Sequence, residues 1–150
     1  MCGKENEALI REAGAREVAV GEDGSAAEEF APYHLVLESV GRQVLSGALS
    51  MLAPGGTCVT FGISAAPEAT FDVRNFFFTG RASLLYGFII FHEVLAKPAS
   101  EGLARLSRLL EEGRLRPHVS VEAAWTGVGG VARQLLNRGF AGKAVLRVEG

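Results

Sequence analysis

Two short stretches carry the side chains best placed to do chemistry. Glu38-Ser39-Val40-Gly41 closes the apolar run Tyr33–Glu38 (YHLVLE), and Phe61-Gly62 closes the run that starts at Thr57 (TCVTF). Each sets a glycine just past a strand, where bare backbone admits a flat ligand; the plainer reading of such a glycine is a turn residue. Glu38 is the best-placed carboxylate for acid–base work, and a strand end suits it to orienting as a hydrogen-bond acceptor more than to donating a proton. No residue is assigned a proton-transfer role. Cys58, in mid-strand, reads as an inert buried thiol. Cys2, Cys58, His34, His92 and His118 lack the paired spacing of a zinc site, so no metal is expected. Gly62-Ile63-Ser64-Ala65-Ala66 is only half of a G-x-S-x-G turn, and no helix signal begins there.

The elements that must hold these stretches are legible from periodicity. Tyr33–Glu38 is apolar on both faces and reads as a buried strand. Arg42–Leu52 follows as a helix with Val44, Leu45, Ala48, Leu49 and Leu52 on one face. It stops before Pro54, Gly55-Gly56 turns the chain, and the strand from Thr57 follows. Around this centre, Asn6–Ala13 reads as a helix closed by Gly14, Glu17–Val20 as a brief strand, and Gly21–Pro32 as a loop or frayed helix. Asp72 caps a short turn running to Phe78. Arg81–Phe88 is a further strand, and Ser100 caps a helix to Glu112 with Leu103, Leu106, Leu109 and Leu110 inward. Arg116–Val121 is a weak strand, Thr126 caps a helix through Asn137, and Ala144–Val148 is the last strand. Strand, helix, strand with two-faced apolar strands predicts an α/β fold: a partial Rossmann-like parallel sheet with flanking helices and a carboxyl-terminal helix-strand extension. Ligands in such sheets bind outside the carboxyl ends of the strands, where Glu38–Gly41 and Phe61-Gly62 lie.

Composition narrows the function classes. The 150 residues are 48% hydrophobic and 21% charged with a net charge of −2, an ordinary globular balance. Acidic and basic residues are interspersed, which gives no basic face for nucleic acid or a membrane surface. The longest apolar run, Leu84–Phe91, is too short to span a bilayer, and the amino terminus has no apolar signal core. Two distant cysteines suit a reduced cytoplasmic chain. The 19 glycines call for turns or close backbone approaches.

Taken in order, IREAGAREVAVG (10–21), HLVLESVGRQVLSGALSMLAPGGTCVTFG (34–62), RLSRLLEEGRLRPHV (105–119) and GKAVLRV (142–148) resemble the carboxyl-terminal half of the medium-chain dehydrogenase/reductase family. The nearest likeness is to its zinc-free, quinone oxidoreductase-like branch. The resemblance implies an NADPH- or NADH-dependent oxidoreductase that reduces quinones or α,β-unsaturated carbonyl compounds by hydride transfer. It implies cofactor contacts from Ser39, Val40, Gly41, Phe61 and Gly62, more weakly from Lys143, and a homodimer paired through Ser83–Phe88. Glu38 stands where the family usually has Asp. It implies a partial nucleotide-binding domain over 1–112 and a segment over 113–150 that in the family returns to the catalytic domain.

One departure is large. By analogy with the family, its first strand and glycine-rich phosphate turn find no match before Ile10, and its amino-terminal catalytic domain is expected to be absent from these residues. The strand at Glu17–Val20 is then expected to lack its sheet neighbours, Lys4 loses the setting of a 2′-phosphate grip, and these 150 residues alone are expected to be inactive. A local match, Gly127, Gly129 and Ala132 in TGVGGVA with Glu149 downstream, fits G-x-G-x-x-A. The preceding run Val119–Trp125 is a poor buried strand, so a helix packing Val128, Val131 and Leu135 on the core is the rival reading. Two other functions compete. A non-catalytic dimerising α/β module would bind no nucleotide tightly. A methyltransferase-like domain would share L-x-P-G-G but needs an acidic glycine-rich turn that Met1–Gly14 lacks.

Overall fold

The computed structural model describes residues 6–77 and 82–148. Cys2, Lys4, Phe78, Arg81 and Glu149 lie outside them. The chain divides into two units, residues 1–99 and 100–150. The sequence reading set its boundary later, after residue 112.

The first unit is built on a three-stranded parallel sheet in the order β1 (Tyr33–Glu38), β2 (Leu52–Thr60), β3 (Leu84–Gly87). Helix α1 (Glu7–Glu12) ends where Gly14 takes φ +98°, a value open to glycine and strained for other residues. A 3-10 turn, Ser25–Phe30, leads into β1. Helix α2 (Arg42–Ser50) makes the crossover from β1 to β2. Helices α3 (Arg74–Phe77) and α4 (Ile90–Ala96) flank β3, and α4 went unread in the sequence. Asp72 does act at the start of α3: its carboxylate accepts the Arg74 backbone N–H at 2.9 Å.

The core sits between α2 and β2. Ala48, Leu49, Leu52 and Cys58 are buried, with Val36, Leu45, Phe71 and Phe76 packed on them. The apolar face expected of the 42–52 segment is therefore real. Its last member, Leu52, belongs to the strand. β2 opens at Leu52 rather than Thr57, so Pro54-Gly55-Gly56 is a bulge inside a strand and not a turn before one. Tyr33 pairs with Leu52 while Leu35 pairs with Thr57. Glycine is needed there twice. Gly55 has φ +76°, and a Cβ on Gly56 would stand 2.8 Å from the Tyr33 carbonyl oxygen.

Glu17–Val20 is not a strand of the sheet; residues 17–19 have no regular structure. Val20 makes a single β-bridge, and β1 hydrogen-bonds β2 in the sheet.

The second unit contains α5 (Ala99–Glu111), β4 (Val119–Ala124), α6 (Val128–Leu136) and β5 (Lys143–Arg147). β4 and β5 pair in parallel around α6. The strand expected at Arg116–Val121 lies a few residues later. Thr126 does not cap α6, because it sits in a 3-10 turn, Trp125–Gly127, and no side chain caps the helix. The inward positions expected on α5 are largely solvent-facing, with Leu103, Leu106 and Leu110 all exposed. The same holds for Val128 and Leu135 on α6. Among the described residues no helix is long and apolar enough to cross a membrane.

Candidate functional site: two strand ends held side by side

β1 ends at Glu38, which is 3% exposed although it carries a carboxyl group. A buried carboxylate needs partners. Glu38 Oε1 accepts the backbone N–H of Val40 at 2.5 Å and of Gly41 at 2.7 Å. The Thr60 hydroxyl, at the end of β2, reaches Oε2 at 3.4 Å. These bonds curl the chain back toward the end of its own strand and set the entry to α2. Gly41 has φ +82° and ψ −164°, which a residue with a Cβ does not adopt without strain. Its carbonyl then accepts the Leu45 N–H and starts the helix. Glu38 is thus an orienting acceptor, as the sequence suggested.

The loop after β2 runs alongside. Phe61 N–H donates to Glu38 O at 2.9 Å, Ser64 N–H to Ser39 O at 3.0 Å, and Ala65 N–H to Val40 O at 2.9 Å. Gly41 and Ala66 form a parallel bridge. The parallel pairing thereby continues past both strands and holds the loops side by side.

This closeness explains both glycines. A Cβ on Gly41 would lie 2.5 Å from the Ala66 carbonyl oxygen, and one on Gly62 would lie 3.1 Å from Ser39 Cβ. The space a side chain would take is filled by the chain itself, so these glycines serve the crossing of the two loops. Around them Phe61 is 52% exposed and Ser39 and Val40 are half-buried. Ser39 and Val40 also border a cavity of about 530 Å³ on the β1 side.

The sequence thus brought Ser39, Val40, Gly41, Phe61 and Gly62 to one place. Lys143 opens β5 in the other unit. Thr60 and Ala66 were missed; a threonine closing the strand beside one that ends in Glu was the signal for the first.

Cys58 is fully buried in β2. Burial first, and the Glu38 charge second, push its thiol from an ordinary 9.0 up to about 11. It is a poor nucleophile at neutral pH. Among the described residues no three His, Cys, Asp or Glu side chains come together to hold a metal ion.

The TGVGGVA run has the strand–helix–strand setting that a dinucleotide fingerprint asks for, since β4, α6 and a parallel β5 surround it. The poor strand was nonetheless a strand. The glycines, however, are not in the turn. Gly129 and Gly130 lie inside α6, and Gly127, in the 3-10 turn before it, has an unstrained φ of −83°.

A strand-end site on a parallel α/β sheet defines the class of protein as a Rossmann-like α/β protein. The sequence profile described as zinc-binding dehydrogenase matches residues 13–146. The chain belongs to that family. A search of curated proteins found no match. Among solved structures, a mycobacterial quinone oxidoreductase superposes with a TM-score of 0.83 at 19% identity, covering 99% of this chain and 47% of that one. An NAD-dependent alcohol dehydrogenase gives 0.71 at 22% identity, with 99% and 43% covered. The CurK enoyl reductase gives 0.68 at 16% identity, with 99% and 46% covered. The chain spans less than half the length of the structures it matches, and at these identities the likeness is one of fold.

Proposed function

We propose that this chain carries the nicotinamide-facing part of an NAD(P)H-dependent oxidoreductase. The observation that carries the reading is the pair of strand-end loops locked side by side, with Ser39 and Val40 half-buried at a cavity and the Phe61 ring exposed. Carboxyl ends of adjacent parallel strands are where such sheets take their ligands. Membership of the zinc-binding dehydrogenase family supports the same chemistry.

A bound reduced nicotinamide would supply the hydride. The chain's own part is to position. Glu38 fixes the Val40 and Gly41 N–H groups, so the loop is rigid before a ligand arrives. Ser39, Val40, Gly41, Phe61 and Gly62 form the binding surface; Lys143 is a weaker cofactor-contact candidate, taken by itself. The preferred cofactor is NADPH, with NADH as the alternative. Substrates are quinones or α,β-unsaturated carbonyl compounds, a choice supported by the quinone oxidoreductase and enoyl reductase among the fold neighbours. The protein works in the cytoplasm as a homodimer through Ser83–Phe88, where Leu84, Leu85 and Tyr86 are exposed on β3.

The test is an NMR titration of the purified chain with NADPH and NADH. Shifts confined to Ser39–Gly41 and Phe61-Gly62, saturating below a millimolar, support the reading. No shift at those residues refutes it.

A further inference from the structure

The end of β2 is tied on both sides. The Thr60 hydroxyl reaches Glu38 at the end of β1, and the Thr60 carbonyl accepts the Phe88 N–H at 2.8 Å, just past the end of β3. Gly87 pairs with Thr60, so the turn at Phe88-Ile89 starts level with Phe61. Helix α4 begins straight after that turn, with few anchors. It has seven residues, no side chain caps its start, and Ile90, Phe91 and Leu95 are all exposed. A helix so short is marginal in water without packing. Among the described residues one side-chain hydrogen bond joins α4 to the sheet: the Tyr86 hydroxyl donates to Glu93 Oε1. The register sets Tyr86 level with Val59 and Leu37, on the face turned away from Cys58 and Val36 in the core. Leu35 and Leu37 are exposed on that face, and the bond from Tyr86 to Glu93 is exposed as well. It joins residues seven positions apart and closes the Phe88-Ile89 turn between them.

We infer that Tyr86 and Glu93 are a positioning pair for the strand-end site. Their hydrogen bond holds the Phe88-Ile89 turn, the turn holds the Thr60 carbonyl, and Thr60 sets where the exposed Phe61 ring stands. A bond from a phenol to a carboxylate is charge-assisted and stronger than a neutral one. The hydrogen bond to Glu93 also raises the Tyr86 pKa above its ordinary value, so the donor keeps its proton across the neutral range. In the open, such a pair adds little to global stability. Its effect is to fix local geometry, and a ligand surface fixed before binding loses less on binding. The neighbouring strand end is built in the same way, with a carboxylate holding a turn: Glu38 Oε1 accepts the Val40 and Gly41 N–H groups. The inference rests on the cofactor reading and adds to it two residues that act through Phe88 and Thr60.

The test compares the full chain with Tyr86→Phe, Glu93→Ala and Glu93→Gln, by amide hydrogen exchange without ligand and by titration with NADPH. Tyr86→Phe and Glu93→Ala are expected to speed exchange of the Phe88 amide about threefold or more. They are expected to weaken NADPH binding, read at Ser39–Gly41, by about threefold. Glu93→Gln keeps an acceptor oxygen and is expected to recover most of both losses. Melting temperatures are expected to stay within about 3 °C of the unaltered chain, because the pair is exposed. Weaker binding at constant stability separates positioning from general support of the fold. The inference alone is overturned if NADPH shifts Ser39–Gly41 in the unaltered chain and the variants bind as tightly. It is equally overturned if Phe88 exchange is unchanged, or if binding falls only in step with melting temperature. No shift at Ser39–Gly41 in the unaltered chain overturns the cofactor reading and, with it, the role of the pair in the site.

Discussion

Replacing Glu38 separates an orienting carboxylate from a reacting one. Its Oε1 serves two backbone N–H groups at 2.5 and 2.7 Å inside a 3% exposed site. Hydrogen bonds to a charged acceptor contribute about 1.5–3 kcal/mol each, and a buried donor left unpaired costs about 1–3 kcal/mol. Glu38→Ala strands two donors, and the expected loss of stability is about 3 kcal/mol, less than the sum because water enters the space. Glu38→Gln keeps an acceptor oxygen in place and removes a buried charge, so it is expected to cost about 1 kcal/mol. Urea denaturation of both variants measures this through the midpoint at constant slope. A second readout is independent of stability. The Glu38 charge is the lesser of two causes holding the Cys58 thiol near 11, so Glu38→Gln is expected to bring that titration down toward 9.0, with burial retaining part of the rise. The Cβ carbon shift of Cys58 in a Cys2→Ser background follows it. Equal and small losses for Ala and Gln would refute the acceptor role. An unmoved Cys58 titration would refute the placement of the charge.

Other substitutions follow from the same geometry. Gly41→Ala forces a Cβ against the Ala66 carbonyl at 2.5 Å and a residue into φ +82°, and is expected to cost about 3 kcal/mol or more in thermal or urea denaturation. Gly129→Ala in α6 meets nothing within 4 Å at an ordinary helical position, and is expected to stabilise its unit by about 0.4–1 kcal/mol. Leu49→Ala removes a 3% exposed core side chain and is expected to cost about 2–5 kcal/mol. Because the folded Cys58 pKa lies above its ordinary value, its contribution to stability is full below pH 9 and is lost as pH rises toward about 11. Denaturation midpoints of Cys58 and Cys58→Ala chains across that window are expected to converge at the alkaline end.

How much of this was readable depended on how local the cause was. YHLVLE was read to the residue, because a six-residue apolar run between turn signals admits little else. Helix α2 was read nearly as well from its apolar face. The Pro54-Gly55-Gly56 bulge was misread as a turn, since those residues signal a break in any sequence and only the register against Tyr33 shows that the strand runs through it. The α4 segment, Ile90–Ala96, hides inside an apolar stretch continuous with β3, where no polar cap marks a start.

The site shows the same division. That Glu38–Gly41 and Phe61-Gly62 lie together follows from strand order in a parallel sheet, and strand order is what the pattern encodes. Why glycine stands at 41 and 62 is a different matter. The sequence suggested bare backbone for a ligand, and the structure shows the carbonyl of Ala66 and the side chain of Ser39 in that space. Such a close approach joins residues more than twenty positions apart. No local signal announces it. The exposed leucines of β1 complete the argument: two-faced apolarity was read as burial, and in this chain alone it is half met.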